Sequence, residues 1–307
     1  MPLFRHKRRR HKSSHGIKNR SNSFTIGFLS LILLFETILL LFLIPKTPTT
    51  KAPSVITKKK FVKVEAQRVI VKKPVKKMAQ KIVPRKIKGK IAIVIDDWGY
   101  NADDLEMLKE IKLPLTLAIL PFRYYSHRIA EFAHAHNYEV IIHMPMEPDD
   151  KEKVGLEPKT LMISMNPEKI KTILNEALND IPYAEGVNNH MGSLATTNKA
   201  FIRTVFKELK QHNLYFLDSF VAPDSVCRDV AKELGIKFSR RSIFLDNKPD
   251  PEYIRGQLME LVKEVDEKGE AIGIGHDKDN TLLILKETMP QLDEAGYEFV
   301  FVSELID

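Results

Sequence analysis

The chain has 307 residues, 43% hydrophobic and 29% charged, enough for one large α/β domain or two smaller ones, with a net charge of +8. That charge is unevenly placed: residues 1–20 contribute +8, residues 46–90 contribute +15 and Glu36 removes one, so residues 91–307 carry −14. An acidic folded part argues against nucleic acid as its ligand, since a phosphate-binding surface needs the opposite sign; a single cysteine excludes an intramolecular disulfide.

In chain order, residues 1–22 form a basic tail containing "RHKRRRHK". Residues 23–45, "SFTIGFLSLILLFETILLLFLIP", are apolar apart from small polar residues and Glu36, and are long enough to cross a bilayer as one helix. The positive-inside bias puts the tail in the cytoplasm and the remainder in the periplasm or otherwise outside the cytoplasm. A cleaved signal peptide is the alternative, but the run exceeds a usual h-region and no small-x-small cleavage site follows it. Glu36 reads either as a tolerated acid or as the mark of a helix partner. Residues 46–90 mix Lys, Pro and Val without helical periodicity: an extended basic stalk, either merely solvated or lying on an anionic surface.

From Ile91 the pattern changes, and residues 91–307 read as one domain. Strand-like runs occur at 91–95, 115–120, 139–144, 186–190, 214–218, 236–239, 271–275 and 297–302. Helix starts lie between them: Ser126 before "HRIAEFAHAHN", Asn166 with Pro167 before "EKIKTILNEAL", and Asn198 before "KAFIRTVFKELKQH". Cys227 fits a small buried residue of a helix. Repeated strand–helix alternation implies parallel strands and right-handed crossovers, hence an α/β fold: a distorted (β/α) barrel of seven to eight parallel strands, preceded by a transmembrane helix and a basic stalk. No G-x-G-x-x-G follows a strand.

The unusual polar residues fall at strand ends. "IAIVIDDWG" ends on Asp96 and Asp97, "EVIIHMPMEP" carries His143, "GVNNHMGS" carries Asn188, Asn189, His190 and Ser193, "LYFLD" ends on Asp218, and His276 follows "AIGIG". In a parallel barrel such ends converge on one face, where catalytic groups collect. Each piece has a plainer reading: an Asx-type turn after the first strand, or a core histidine at position 143. His127, His134, His136 and His212 are expected on helix or protein surfaces. Together, two histidines and carboxylates on one face make a ligand set for zinc or a similar divalent ion.

"IDDWG", "LAILP", "HMPMEP", "GVNNHMGS", "FLDS" and "IGIGH", in this order, resemble the divergent branch of the polysaccharide deacetylases over about residues 91–305. The resemblance implies a distorted barrel, a divalent metal held by Asp and two His, and hydrolysis of acetyl groups on sugar polymers. By that resemblance Asp96 is the catalytic base, Asp97 and His143 are metal ligands, and His276 protonates the leaving amine. Ordinary members carry H-x-x-x-H where this chain has His143 and Glu147. The missing ligand is then His190, which keeps the family's charge on the metal, or alternatively Glu147. Asp218 is expected to orient His276 or add charge. Asn188 and Asn189 are expected to position His190 or bind sugar hydroxyls, with Ser193 and Glu147 close by. Arg240 and Arg241 are expected to meet an anionic glycan or pair with Asp246.

Two functions follow from these residues. One is an anchored, zinc-dependent hydrolase removing N- or O-acetyl groups from an envelope polysaccharide such as peptidoglycan; the other is a catalytically inactive module on the same barrel that binds glycan or an envelope protein. Phosphoryl chemistry is the weaker third reading, because no phosphate-cradling loop is present.

Overall fold

A computed structural model describes residues 86–306. The basic tail, the apolar segment 23–45 and stalk residues 46–85 lie outside the described residues. Among the described residues no helix is long and apolar enough to cross a membrane.

Among the described residues nine strands form one all-parallel sheet: β1 (Gly89–Trp98), β2 (Thr116–Ile119), β3 (Glu139–Met146), β4 (Ala184–Met191), β5 (Tyr215–Asp218), β6 (Phe238–Arg240), β7 (Ile243–Phe244), β8 (Glu270–His276) and β9 (Tyr297–Val300). Their order is β6-β5-β4-β3-β2-β1-β8-β7, with β9 added to β1. This confirms the α/β class but revises the strand count: β7, only two residues long, leaves no periodic signal. β1 begins at Gly89, so Gly89 and Lys90 belong to the sheet rather than to the stalk.

The helices are α1 (Leu105–Leu108), α2 (Ser126–Ala135), α3 (Lys151–Val154), α4 (Pro167–Asp180), α5 (Lys199–Gln211), α6 (Cys227–Leu234), α7 (Pro251–Lys268) and α8 (Asp279–Ala295). In α4 the Asn166 side chain accepts from Lys169 N and Pro167 occupies the first turn, while Ile170, Ile173, Leu174 and Ala177 form one buried stripe. Asn198 caps α5 in the same way by accepting from Phe201 N. Ser126 does not cap α2; its hydroxyl donates to Leu120 O and accepts from Arg123 N, fastening the β2–α2 turn instead. Cys227 is buried at the start of α6, and burial pushes its thiol well above the ordinary range.

Strand parity divides the core. On β1, Ile91, Ile93 and Ile95 face the helices, whereas Ala92 and Val94 face the barrel interior with Ala118, Ile141, Leu217, Ile272 and Ile274. The interior is narrow. At Gly186 a Cβ would come within 2.3 Å of the Tyr215 ring, so only glycine fits there.

The sheet does not close by a ladder between its end strands β6 and β7. Two consecutive residues cross the gap: Arg241 N donates to Asp218 O at 3.0 Å, and Ser242 N donates to Ile272 O at 2.8 Å. Curling brings the carboxyl ends of β1, β3, β4 and β8 onto one face.

Candidate metal and acid–base centre

Adjacent residues of a strand point to opposite faces, so Asp96 and Asp97 reach one site only if the strand is irregular. It is. Ile95 pairs with Leu117 and Trp98 with Ile119, so Asp96 and Asp97 together oppose a single residue of β2. Asp97 has φ 68°, the left-handed region that Asp tolerates better than most side chains. The bulge turns its carboxylate back beside Asp96, while Trp98 is fully buried beneath.

Three ligand-type atoms converge. Asp97 Oδ1 lies 3.2 Å from His143 Nε2 and 3.1 Å from His190 Nδ1, and the two ring nitrogens are 3.0 Å apart. Asp97 Oδ1 is buried yet makes no hydrogen bond of ordinary geometry. Ligand atoms of a tetrahedral ion with bonds of about 2.0–2.1 Å are roughly 3.3 Å apart, close to this triangle. One carboxylate and two imidazoles fit a divalent cation, and they are the group of metal-ligand type that the described residues bring together.

The electrostatics differs from group to group: burial, with His143 beside it, lowers the pKa of His190. Burial alone would raise Asp97, but His143 and His190 outweigh it and hold its carboxyl well below the usual carboxylate range. At His143 burial disfavours the charged ring, yet Asp96 and Asp97 raise its pKa to about 8. Burial pushes Asp96 upward, opposed by His143 and His276.

His276 stands directly across the ladder from Asp96. Its Nδ1 lies 2.7 Å from Asp246 Oδ1, and its backbone N donates to Asp246 Oδ2 at 2.9 Å. Thr281 Oγ1 donates to the same carboxylate at 2.7 Å. Nδ1 is therefore the protonated nitrogen of the neutral ring, leaving Nε2 for chemistry. Burial works against a charged ring, but Asp246 more than offsets it and raises the pKa of His276.

Several expectations need correction. Asp218 does not orient His276: Leu217 faces the interior, so parity turns Asp218 away, where it accepts from Phe220 N at 2.8 Å and Ser225 Oγ at 2.6 Å. Glu147 lies outside the triangle of Asp97, His143 and His190. Its carboxylate accepts from Ile163 N and Lys151 Nζ, both at 2.8 Å, and fastens the β3–α4 connection. Asn188 contacts His143 and Asp96 rather than orienting His190. Asn189 is buried, donating to Met191 O and accepting from Ser219 N, so it presents nothing to a sugar. Ser193 Oγ accepts from Asp149 N at 2.9 Å. Arg241 donates to Ser219 O and Phe220 O, and Arg240 lies 4.1 Å over the Phe220 ring; Asp246 instead meets His276, Thr281 and Lys278. His127, His134, His136 and His212 are exposed, as expected. The missed residue is Asp246. "SIFLD" ends on an acid as "YFLD" does, and that was the available signal.

A model of the divergent polysaccharide deacetylases matches residues 93–306. The chain belongs to that family. It is 35% identical over 204 residues to the uncharacterized protein YibQ of Escherichia coli, covering 66% of this chain and 63% of that one, so the match spans less than two thirds of the relative's length. An uncharacterized protein of Haemophilus influenzae is 32% identical over 206 residues, covering 67% of this chain and 73% of its own. Among solved structures, the uncharacterized protein ATU2773 of Agrobacterium tumefaciens has a TM-score of 0.66 at 22% identity, covering 71% of this chain and 89% of that one, which is a likeness of fold. This chain lacks the second histidine of H-x-x-x-H, and β4 places His190 beside Asp97 and His143.

Proposed function

We propose that this divergent deacetylase is a zinc-dependent hydrolase that removes N- or O-acetyl groups from an envelope polysaccharide of the peptidoglycan type. The observation that carries the reading is the triangle of Asp97, His143 and His190 beside the cross-strand pair of Asp96 and His276. Asp97 Oδ1, His143 Nε2 and His190 Nδ1 would hold the ion. When bound, zinc with an open position lowers the pKa of water toward neutrality and polarises the acetyl carbonyl.

The protein supplies the proton transfers. Asp96, buried and 3.6 Å from His143 Nε2, takes the proton of the attacking water as the C–O bond to the acetyl carbon forms. His276, kept protonated by Asp246, gives a proton from Nε2 to the leaving nitrogen or oxygen as the C–N or C–O bond breaks. The products are acetate and the free amine or alcohol. We further propose that segment 23–45 anchors the chain with the barrel outside the cytoplasm, where such polymers lie.

A binding-only module was suggested by the absent second histidine. His190 weakens that argument, since it offers a donor in the same triangle. Acetate release from N-acetylglucosamine oligomers and peptidoglycan by zinc-loaded full-length protein tests the proposal. Asp96→Asn and His276→Ala should each lower the rate by about 10²–10⁴-fold with zinc retained. Zinc bound without acetate release from any acetylated glycan would overturn the hydrolase and leave the binder.

A further inference from the structure

Asn188 and His190 both face the interior of β4, two residues apart. Asn188 is the cross-strand neighbour of His143 in the β3–β4 register. Its side chain is completely buried and makes three contacts. Nδ2 donates to Asp96 Oδ1 at 2.9 Å and to Ser219 Oγ at 3.3 Å, and Oδ1 lies 2.8 Å from His143 Nδ1.

The orientation of the amide is dictated by chemistry. An ionised carboxylate only accepts, so the amide NH₂ must face Asp96 and the amide oxygen must face His143. His143 Nδ1 then carries the proton of the neutral ring, whose lone pair on Nε2 points at Asp97 and His190. A neutral imidazole left to itself has no such constraint.

We propose that Asn188 is a positioning residue that yokes the two halves of the centre, selecting the metal-binding tautomer of His143 while donating to the base Asp96. The proposal rests on the metal-dependent reading above. In this chain the sequence Asn-x-His on β4 does two things: His190 brings a ligand, and Asn188 prepares the ligand on the neighbouring strand. Partners that fix a ligating imidazole in this way typically change metal affinity by about 10–100-fold.

The test uses the full-length protein, with zinc affinity measured by competition against a chromogenic chelator. Asn188→Leu, which loses both functions, should bind zinc about 10–100-fold more weakly, whereas Asn188→Asp, which keeps an acceptor for His143, should stay within about threefold of wild type. Asn188→Asp should nevertheless lose acetate release, because a second carboxylate replaces the donor to Asp96. Imidazole ¹⁵N spectra of the metal-free wild type at pH 9 should show His143 as the Nδ1–H tautomer, a readout that does not depend on any variant folding. Wild-type affinity in Asn188→Leu, equal losses in both variants, or an Nε2–H tautomer in the wild type would each overturn the inference. A wild type that takes up no zinc would instead overturn the reading on which it rests.

Discussion

Each end of the barrel holds a carboxylate with a buried oxygen, and the two ends treat it oppositely. At the amino end Glu139 accepts from Thr116 Oγ1, from Val302 N at 2.9 Å and from Ser303 N at 3.1 Å, tying the last turn of the chain beneath the sheet. At the carboxyl end Asp97 Oδ1 is buried against two imidazoles with no hydrogen bond of its own. A buried acid with its donors supplied holds structure together. One set against two imidazoles instead of backbone donors, in a left-handed backbone on a bulge, is arranged as a ligand would be.

The comparison is broken most severely by removing a ligand. His190→Ala should weaken zinc binding by more than the roughly 10–100-fold that outer partners of a metal site cost, while the midpoint of urea unfolding of the metal-free protein moves little. Equal zinc affinity in that variant would remove His190 from the centre. The reciprocal change, Glu139→Ala, strands the Ser303 N–H and the Thr116 hydroxyl and leaves Val302 N only its 3.2 Å bond to Thr116 Oγ1, and should destabilise by about 2–4 kcal/mol in urea titration with zinc affinity unchanged.

Asp246→Asn sharpens the functional end. Asp246 keeps His276 protonated to higher pH, so its loss should move the alkaline limb of the rate–pH profile to lower pH, with zinc affinity retained. An unmoved limb would exclude His276 as the acid.

The smallest effect lies at the amino end. Burial raises the pKa of Glu139 above its ordinary 4.5, so the folded state binds more protons than the unfolded chain through that window. The stability contribution is full below the ordinary value and declines as pH rises through the raised one. Glu139→Gln should flatten that decline, read as the slope of unfolding free energy against pH.

Much of this organisation was legible in the sequence. Eight of the nine strands and the caps of α4 and α5 follow from periodicity and from Asn166, Pro167 and Asn198. The strand-end rule brought Asp96, Asp97, His143, His190 and His276 to one face. It failed where it ignored parity: Asp218 ends its strand, but Leu217 already occupies the inward direction. It also failed at β7, whose two residues are too few to show alternation, so Asp246 passed for an arginine's partner. The bulge at Asp97 could not be read from local sequence at all, because it is a relation between β1 and the register of β2.

The seam at Arg241 and Ser242 has a consequence for the protein's life among other chains. A parallel sheet that does not close exposes two edges, and exposed edges recruit foreign strands. Here the end strands are three and two residues long, and the chain crossing between them spends its own amides on Asp218 and Ile272. Neither of these two end strands offers enough consecutive free backbone for another strand to zip onto, so the gap stays open in hydrogen bonding without becoming a template there.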